Sequence, residues 1–137
     1  MVSQVARAKS IAATAHSGQR EESTGDPYLD HVSRVVEMVE GDDAKATAWL
    51  HDVLEDNTAW TKDRLLAHGI APNIVLSVLL LTRTAPYDYV SYIERLRLSK
   101  DSVAIAVKVA DLRDHLRPNC PARLRPRYEA ALQALAG

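Results

Sequence analysis

Ala48-Trp49-Leu50-His51-Asp52-Val53-Leu54-Glu55-Asp56-Asn57, the run AWLHDVLEDN, decides how the rest of this chain is read. Placed on a helix at ~100° per residue, it divides into two faces. Ala46, Trp49, Leu50 and Val53 recur at i, i+3, i+4 and i+7, the apolar stripe of a helix that packs on a core. His51, Asp52, Glu55 and Asp56 fall in a separate sector of about 140°. His51 precedes Glu55 by one turn, and Asp52 precedes Asp56 by one turn. Three carboxylates in a last helical turn face the negative end of the helix dipole, where cations are favoured. Two readings stay open: a solvated acidic face, or a site for a metal ion that relieves the conflict. An imidazole beside the carboxylates, with no Lys or Arg from Leu50 to Asp56, favours the ion.

Outward from this run the chain reads as helices joined by short turns. Upstream, Val5, Ala8, Ala12 and Ala15 share one face of a helix over residues 3–16, with Ile11 at its edge and Gly18 after its end. Residues 19–27 are polar, and Gly25-Asp26-Pro27 marks a turn. The next helix carries Val32, Val35, Val36 and Val39 at core spacing, with His31 near its start, and Gly41 ends it. Asp42 or Asp43 is expected to cap the helix that follows.

Downstream, a short helix over residues 61–68 is closed by Gly69, and Pro72 suits the first turn of a helix running to Thr82. That helix is apolar nearly all round and is expected to be central. Pro86 opens another, with Tyr89, Ile93 and Leu96 on one side. Residues 102–116 alternate like a strand at Val103, Ile105, Val107 and Val109, yet Val103, Ala106, Val107 and Ala110 fit a helix equally well. No partner strand is visible, so helix is the reading. Pro126 can start an Ala/Leu-rich final helix. The fold class is all-α.

A chain of 137 residues is one domain by the usual prior and long enough to bury a core. A formal net charge of −1 gives no electrostatic case for nucleic acid or an acidic membrane as partner. Cys120 is the single cysteine, which excludes an internal disulfide and suits a reducing cytosol. The apolar run from Ile74 to Leu81 is too short to span a bilayer, and no apolar signal core is visible near the N-terminus. A cytoplasmic protein is expected.

Asp111 projects between Val107 and Ala110 on the apolar face of its helix, where an unpaired charge is prohibitive. A structural ion pair would satisfy it. So would a metal shared with His51 and Asp52, with His31 as a fourth ligand.

At this point four motifs in order resemble the HD-domain phosphohydrolases, in particular the RelA/SpoT-type (p)ppGpp hydrolases in their stand-alone form, the small alarmone hydrolases. They are Ala15-His16-Ser17-Gly18-Gln19, Gly25-Asp26-Pro27-Tyr28 with His31, the His51–Asp56 block, and Val107-Lys108-Val109-Ala110-Asp111. The resemblance implies a compact, all-α HD-domain bundle of about six to eight helices over residues 1–137. It implies one Mn²⁺ ion, a nucleotide substrate, and removal of the 3′-pyrophosphate of guanosine penta- or tetraphosphate. It makes His31, His51, Asp52 and Asp111 the metal ligands, and Glu55 and Asp56 the pair that positions the attacking water and handles its proton. Two imidazoles and two carboxylates suit Mn²⁺ or Fe²⁺, and Zn²⁺ also binds such a set.

Three positions depart from the family pattern. Glu21 stands where an Arg that stacks on guanine is common, with Arg20 one residue earlier as its candidate replacement. His115 stands where an Asn contacts the nucleotide, and Val32 where Pro is usual. His115 is open to three roles: metal ligand, phosphate contact or bystander, with the phosphate contact expected. Lys108 either faces substrate or pairs with an acid. Tyr87, Tyr89 and Tyr92 offer rings for base stacking or belong to core and surface. Arg117, Arg123, Arg125 and Arg127 attract phosphate or form a solvated basic tail, and His16 and His68 read as structural. The departures leave two alternatives to (p)ppGpp hydrolysis: an HD phosphohydrolase for another nucleotide or phosphoester, and a nucleotide-binding module without turnover.

Overall fold

In the computed structural model, which describes residues 2–84 and 87–137, the described residues form nine helical segments and no strand, only a single bridge between Arg20 and Pro27. The segments are α1 (Gln4–Ala15), α2 (Tyr28–Met38), α3 (Asp42–Leu50), α4 (Val53–Asp56), α5 (Lys62–Ala67), α6 (Pro72–Leu81), α7 (Tyr89–Ser99), α8 (Ser102–His115) and α9 (Arg125–Ala136). The chain is all-α, as the periodicity predicts. Residues 102–116 are helical, so the 3.6-residue pattern prevails over the alternation. Pro86 lies outside the described residues; Asp88 caps α7 by accepting from the Ser91 amide. Ser3, Thr61 and Asp101 cap α1, α5 and α8 in the same way.

Helix α3 is the hub. It packs against α1, α2, α6 and α8, and Ala46, Ala48, Leu50 and the following Val53 are fully buried. Small alanines let the neighbouring helices approach closely, while Val32, Val35, Leu65, Ile74, Val78, Leu96 and Val107 fill the space between them. A smaller cluster of Tyr92, Ile93, Leu112 and Ala131 joins α7, α8 and α9.

Three expectations are corrected. The helix through residues 48–57 is not continuous: α3 stops at Leu50 and α4 starts at Val53. The Ala48 carbonyl is taken by the His51 backbone N–H at 3.4 Å and by the His51 ring at 2.7 Å. Side-chain competition of this kind breaks an α-helical ladder, and Asp52 sits at φ −110°, ψ 0°, the bridge region between helix and strand. Joining α3 to α4 would leave eight segments, the upper end of the expected range. Second, the N-cap of α3 is Gly41 at φ +89°, a conformation glycine adopts without strain, and Asp42 and Asp43 lie inside the first turn. There they favour the helix through its dipole rather than by a cap hydrogen bond. Third, α6 is not central on all sides: Leu76 is 62% exposed, although Ile74, Val75, Val78 and Leu81 are buried.

Candidate metal centre

Four donor side chains from α2, the α3–α4 junction and α8 meet in the interior. One ligand atom each of His31, His51, Asp52 and Asp111 lies within 4.8 Å of all the others. The Asp111 Oδ1 is 3.0 Å from His31 Nε2 and 3.2 Å from His51 Nε2. Asp52 Oδ2 is 3.0 Å from His51 Nε2 and 4.0 Å from His31 Nε2. Donors bonded at ~2.1 Å to one ion stand about 3.0 Å apart at right angles and about 4.2 Å apart when opposite. The observed spacings fit that range, and the mixed nitrogen–oxygen set fits a divalent transition metal.

The ring orientations support the same reading. The His51 Nδ1–H donates to the Ala48 carbonyl, and the His31 Nδ1–H donates to Asp114 at 2.6 Å, so each imidazole turns Nε2 inward. A ligating histidine fixed through its other nitrogen is the usual outer arrangement of a metal site. The Tyr28 hydroxyl donates to Asp52, and the Lys108 ammonium donates to Asp111 Oδ2 at 2.9 Å. Burial disfavours charge on His31, but Asp111 and Asp114 outweigh it and lift its pKa to about 9. Burial likewise opposes charge on His51, and Asp52 and Asp111 outweigh it. Burial pushes the Asp111 carboxyl up, while Lys108, His115 and His31 pull it well below the ordinary range. The carboxylates are thus charged and the imidazoles hold protons that a divalent ion would displace.

Asp114 is a site residue that the sequence reading misses. It is 2% exposed and accepts from Arg34 Nε at 2.7 Å as well as from His31. Glu21 completes the frame, accepting from Arg34 at 3.1 Å and from Arg117 at 3.3 Å. Glu21 therefore belongs to the scaffold behind His31, and Arg117 is not free for phosphate. The available signal was the i, i+3 spacing of Asp111 and Asp114 along a buried helix face. Asp114→Asn is expected to weaken metal binding roughly 10- to 100-fold, because the amide accepts less strongly from His31. Metal titration with a competing chelator checks this, and wild-type affinity in the variant would remove Asp114 from the site.

Glu55 and Asp56 flank the cluster on the single turn of α4. Glu55 accepts from the Arg83 backbone N–H, and Asp56 accepts from the Gln19 side-chain amide at 3.1 Å. Gln19 is itself oriented by His16, whose Nδ1 lies 2.8 Å from the Gln19 carbonyl oxygen. Since Asp56 accepts only, the amide nitrogen must face it and His16 Nδ1 must carry the proton. His16, read from sequence as structural, is thus tied to the Asp56 carboxylate through one residue. Enclosure by the cleft walls, and then the Asp52 charge, raise the pKa values of Glu55 and Asp56.

Two clefts lie on either side of the Glu55–Asp56 turn, beside the cluster. One, of about 470 Å³, is lined by Glu55, Arg83, Tyr89, Lys108, Arg127 and Tyr128. The other, of about 480 Å³, is lined by Arg20, Asp56, His115, Arg117, Arg123 and Tyr128, among others. Arg20 lies at the mouth of the second, with its guanidinium on the Gly25 carbonyl at 2.9 Å. His115 Nε2 is 3.2 Å from Asp111 Oδ1, and its ring stacks on Tyr128 at 5.1 Å. The group of mutually close donors holds four residues and leaves His115 out. Tyr92 is core, its hydroxyl donating to the Leu81 carbonyl, and Tyr87 is exposed. Arg125 donates to the carbonyls of Leu116 and Arg117 and belongs to the scaffold.

No protein-family model matches the chain, and no curated protein matches it in sequence. Its structure does match that of a metazoan ortholog of SpoT that hydrolyses ppGpp and plays a role in starvation responses. The TM-score is 0.80, over 98% of this chain and 84% of that one, at 20% sequence identity. At this identity the likeness shows the fold: the chain shares the all-α fold of that structure. Among the described residues no helix is long and apolar enough to cross a membrane.

Proposed function

We propose that this chain is a metal-dependent phosphohydrolase that removes the 3′-pyrophosphate from guanosine tetra- or pentaphosphate. The observation that carries the reading is the convergence of His31, His51, Asp52 and Asp111 beside an oriented pair of carboxylates. The activity of the structural neighbour supports it. Residues 1–137 would act as one domain, in the cytoplasm and in the stringent response. Mn²⁺ is the proposed ion, and Fe²⁺ or Zn²⁺ would also suit the donors.

Bound there, a divalent ion would lower the pKa of a water and polarise a phosphoryl oxygen. The protein's own part is orientation and proton handling. Lys108 holds Asp111 ionised and in place, and Asp114 and the Ala48 carbonyl keep the two Nε2 lone pairs directed inward. Asp56, aimed by Gln19, would accept the proton of the attacking water, and Glu55, fixed by the Arg83 amide, would hold that water in line. Raised carboxyl pKa values bring such a base closer to neutral pH. Arg20, Lys108 and His115 are the proposed substrate contacts, with His115 directed at phosphate.

The test is pyrophosphate and orthophosphate release by the Mn²⁺-loaded protein over a panel of nucleotides. Pyrophosphate from ppGpp is the expected product. A second reading, hydrolysis of another nucleotide or phosphoester, is favoured by Glu21, whose carboxylate is committed to Arg34 and Arg117. Turnover of a different panel member with ppGpp untouched would select that reading. Binding without release from any member would leave a nucleotide-binding module.

His115→Asn is expected to keep one metal per chain, because His115 stands outside the four-donor group. It should also keep activity, since an amide can donate to phosphate as an imidazole does. Loss of metal in elemental analysis would show His115 to be a ligand instead.

A further inference from the structure

His16 closes α1 as its C-cap and is 1% exposed. Its ring makes one polar contact, from Nδ1 to the Gln19 carbonyl oxygen. The other nitrogen, Nε2, is buried and has no partner among the described residues. The Gln19 backbone is fixed from both sides. Its N–H donates to the His16 carbonyl at 3.0 Å, and its carbonyl accepts from the Tyr28 N–H at 2.8 Å. The freedom left to Gln19 lies in its side-chain amide, which could face Asp56 with nitrogen or with oxygen. Oxygen toward Asp56 would set two acceptors against each other.

The unpartnered Nε2 decides between the two. A proton there would be a buried donor without an acceptor, which folded proteins rarely tolerate; an under-satisfied acceptor is the commoner exception. The proton is therefore driven to Nδ1, which donates to the Gln19 oxygen and leaves the Gln19 nitrogen to donate to Asp56 at 3.1 Å. Direction is thus imposed from the interior and runs outward to the carboxylate on α4. A second tie joins the same two segments, since the Asn57 side chain donates to the Ala15 carbonyl at 3.1 Å. Burial and the Asp52 charge raise the Asp56 carboxyl, and the Gln19 amide opposes both.

We propose that His16 is a positioning residue: by holding its proton on Nδ1, it locks the Gln19 amide in the orientation that aims Asp56 at the attacking water. The role in hydrolysis rests on the phosphohydrolase reading; the direction of the hydrogen-bond chain does not. A packing role competes with this one, because the His16 ring lies 5.0 Å from that of Tyr28, whose hydroxyl donates to Asp52. The two roles differ in what they need at this position. Positioning needs a donor on the atom next to Cγ, and packing needs bulk against Tyr28.

His16→Asn keeps an N–H donor next to Cγ and loses the ring, whereas His16→Leu keeps bulk and loses the donor. In the Mn²⁺-loaded protein, His16→Leu should lower kcat roughly tenfold, the range for a lost hydrogen bond in a chain that ends on a charge. KM and metal content should not change. His16→Asn should stay within about threefold of the wild-type kcat. Packing alone predicts the reverse order, because Leu is closer to His in volume than Asn is. In a Gln19→Ala background, His16→Leu should lower kcat no further, as expected of residues that act in series. Leu matching or exceeding Asn in kcat, or a further fall in the Gln19→Ala background, overturns the lock. Nitrogen-15 spectra of the metal-free wild type need no substrate and should show the His16 proton on Nδ1. A proton on Nε2 overturns the proposal too. A proton on Nδ1, in a protein that turns over no phosphoester, would retain the directed chain and reject the hydrolase.

Discussion

Asp111→Asn is expected to empty the centre of metal and to destabilise the helices around it. Its Oδ1 faces the Nε2 atoms of His31, His51 and His115, and its Oδ2 accepts from Lys108. Asp111 is 2% exposed and Lys108 13%, so removing the carboxylate's charge leaves an ammonium without its counter-ion in a confined place. Breaking a buried pair from one side costs about 3–5 kcal/mol. Metal content should fall from about one ion per chain to none, and the urea midpoint of the metal-free protein should drop. Asp52→Asn provides the contrast, because Asp52 is 15% exposed and no Lys or Arg depends on it. That variant should lose the ion with a smaller drop in midpoint. Retention of stoichiometric metal by both proteins would refute the assignment of the centre.

Glu55→Gln and Asp56→Asn should leave metal content intact and lower kcat roughly 10²- to 10⁴-fold each, the range for loss of a general base or its equivalent. Their effect on stability has the opposite sign. Both carboxyls have pKa values raised in the fold, so the folded state binds protons more tightly than the unfolded chain does. Above that range each ionised group therefore subtracts from stability, and its neutral replacement removes the penalty. The metal-free variants should unfold at the same temperature as wild type at pH 7 or at a higher one. For the same reason, the metal-free wild type should gain stability relative to both variants as the pH falls through the raised carboxyl range. Full activity in both variants, or earlier unfolding of both, would contradict these roles.

The local parts of the centre were legible in the sequence, and the non-local parts were not. His51, Asp52, Glu55 and Asp56 lie within six residues, and Asp111 announces itself as a charge on an apolar face. His31 is readable only as a possible fourth ligand beside that charge, since a histidine near a helix start carries little signal of its own, and the family resemblance is what singles it out. The contact of Tyr28 with Asp52 and the frame of Glu21, Arg34, Asp114 and Arg117 join residues far apart in the chain. No periodicity reports such pairs. The break at His51 escaped for another reason. Periodicity measures which face a side chain occupies and is blind to a ring that captures the carbonyl three residues back.

That break also sets a short, weakly self-sustaining turn beside long helices. The proposed ligands His31, His51 and Asp111 sit on or at the ends of helices of nine residues or more, whereas Asp52 caps the four-residue segment that carries Glu55 and Asp56. A single turn cannot sustain itself in water, because nucleating a helix costs more than one hydrogen bond returns. Segment α4 borrows its order from the Arg83 amide, from Gln19, and from Asn57, whose side chain donates to the Ala15 carbonyl at 3.1 Å. Local opening is cheapest where order is borrowed in this way. The turn that carries Glu55 and Asp56 would therefore open at lower cost than α2, α3 and α8, which hold His31, His51 and Asp111 in place.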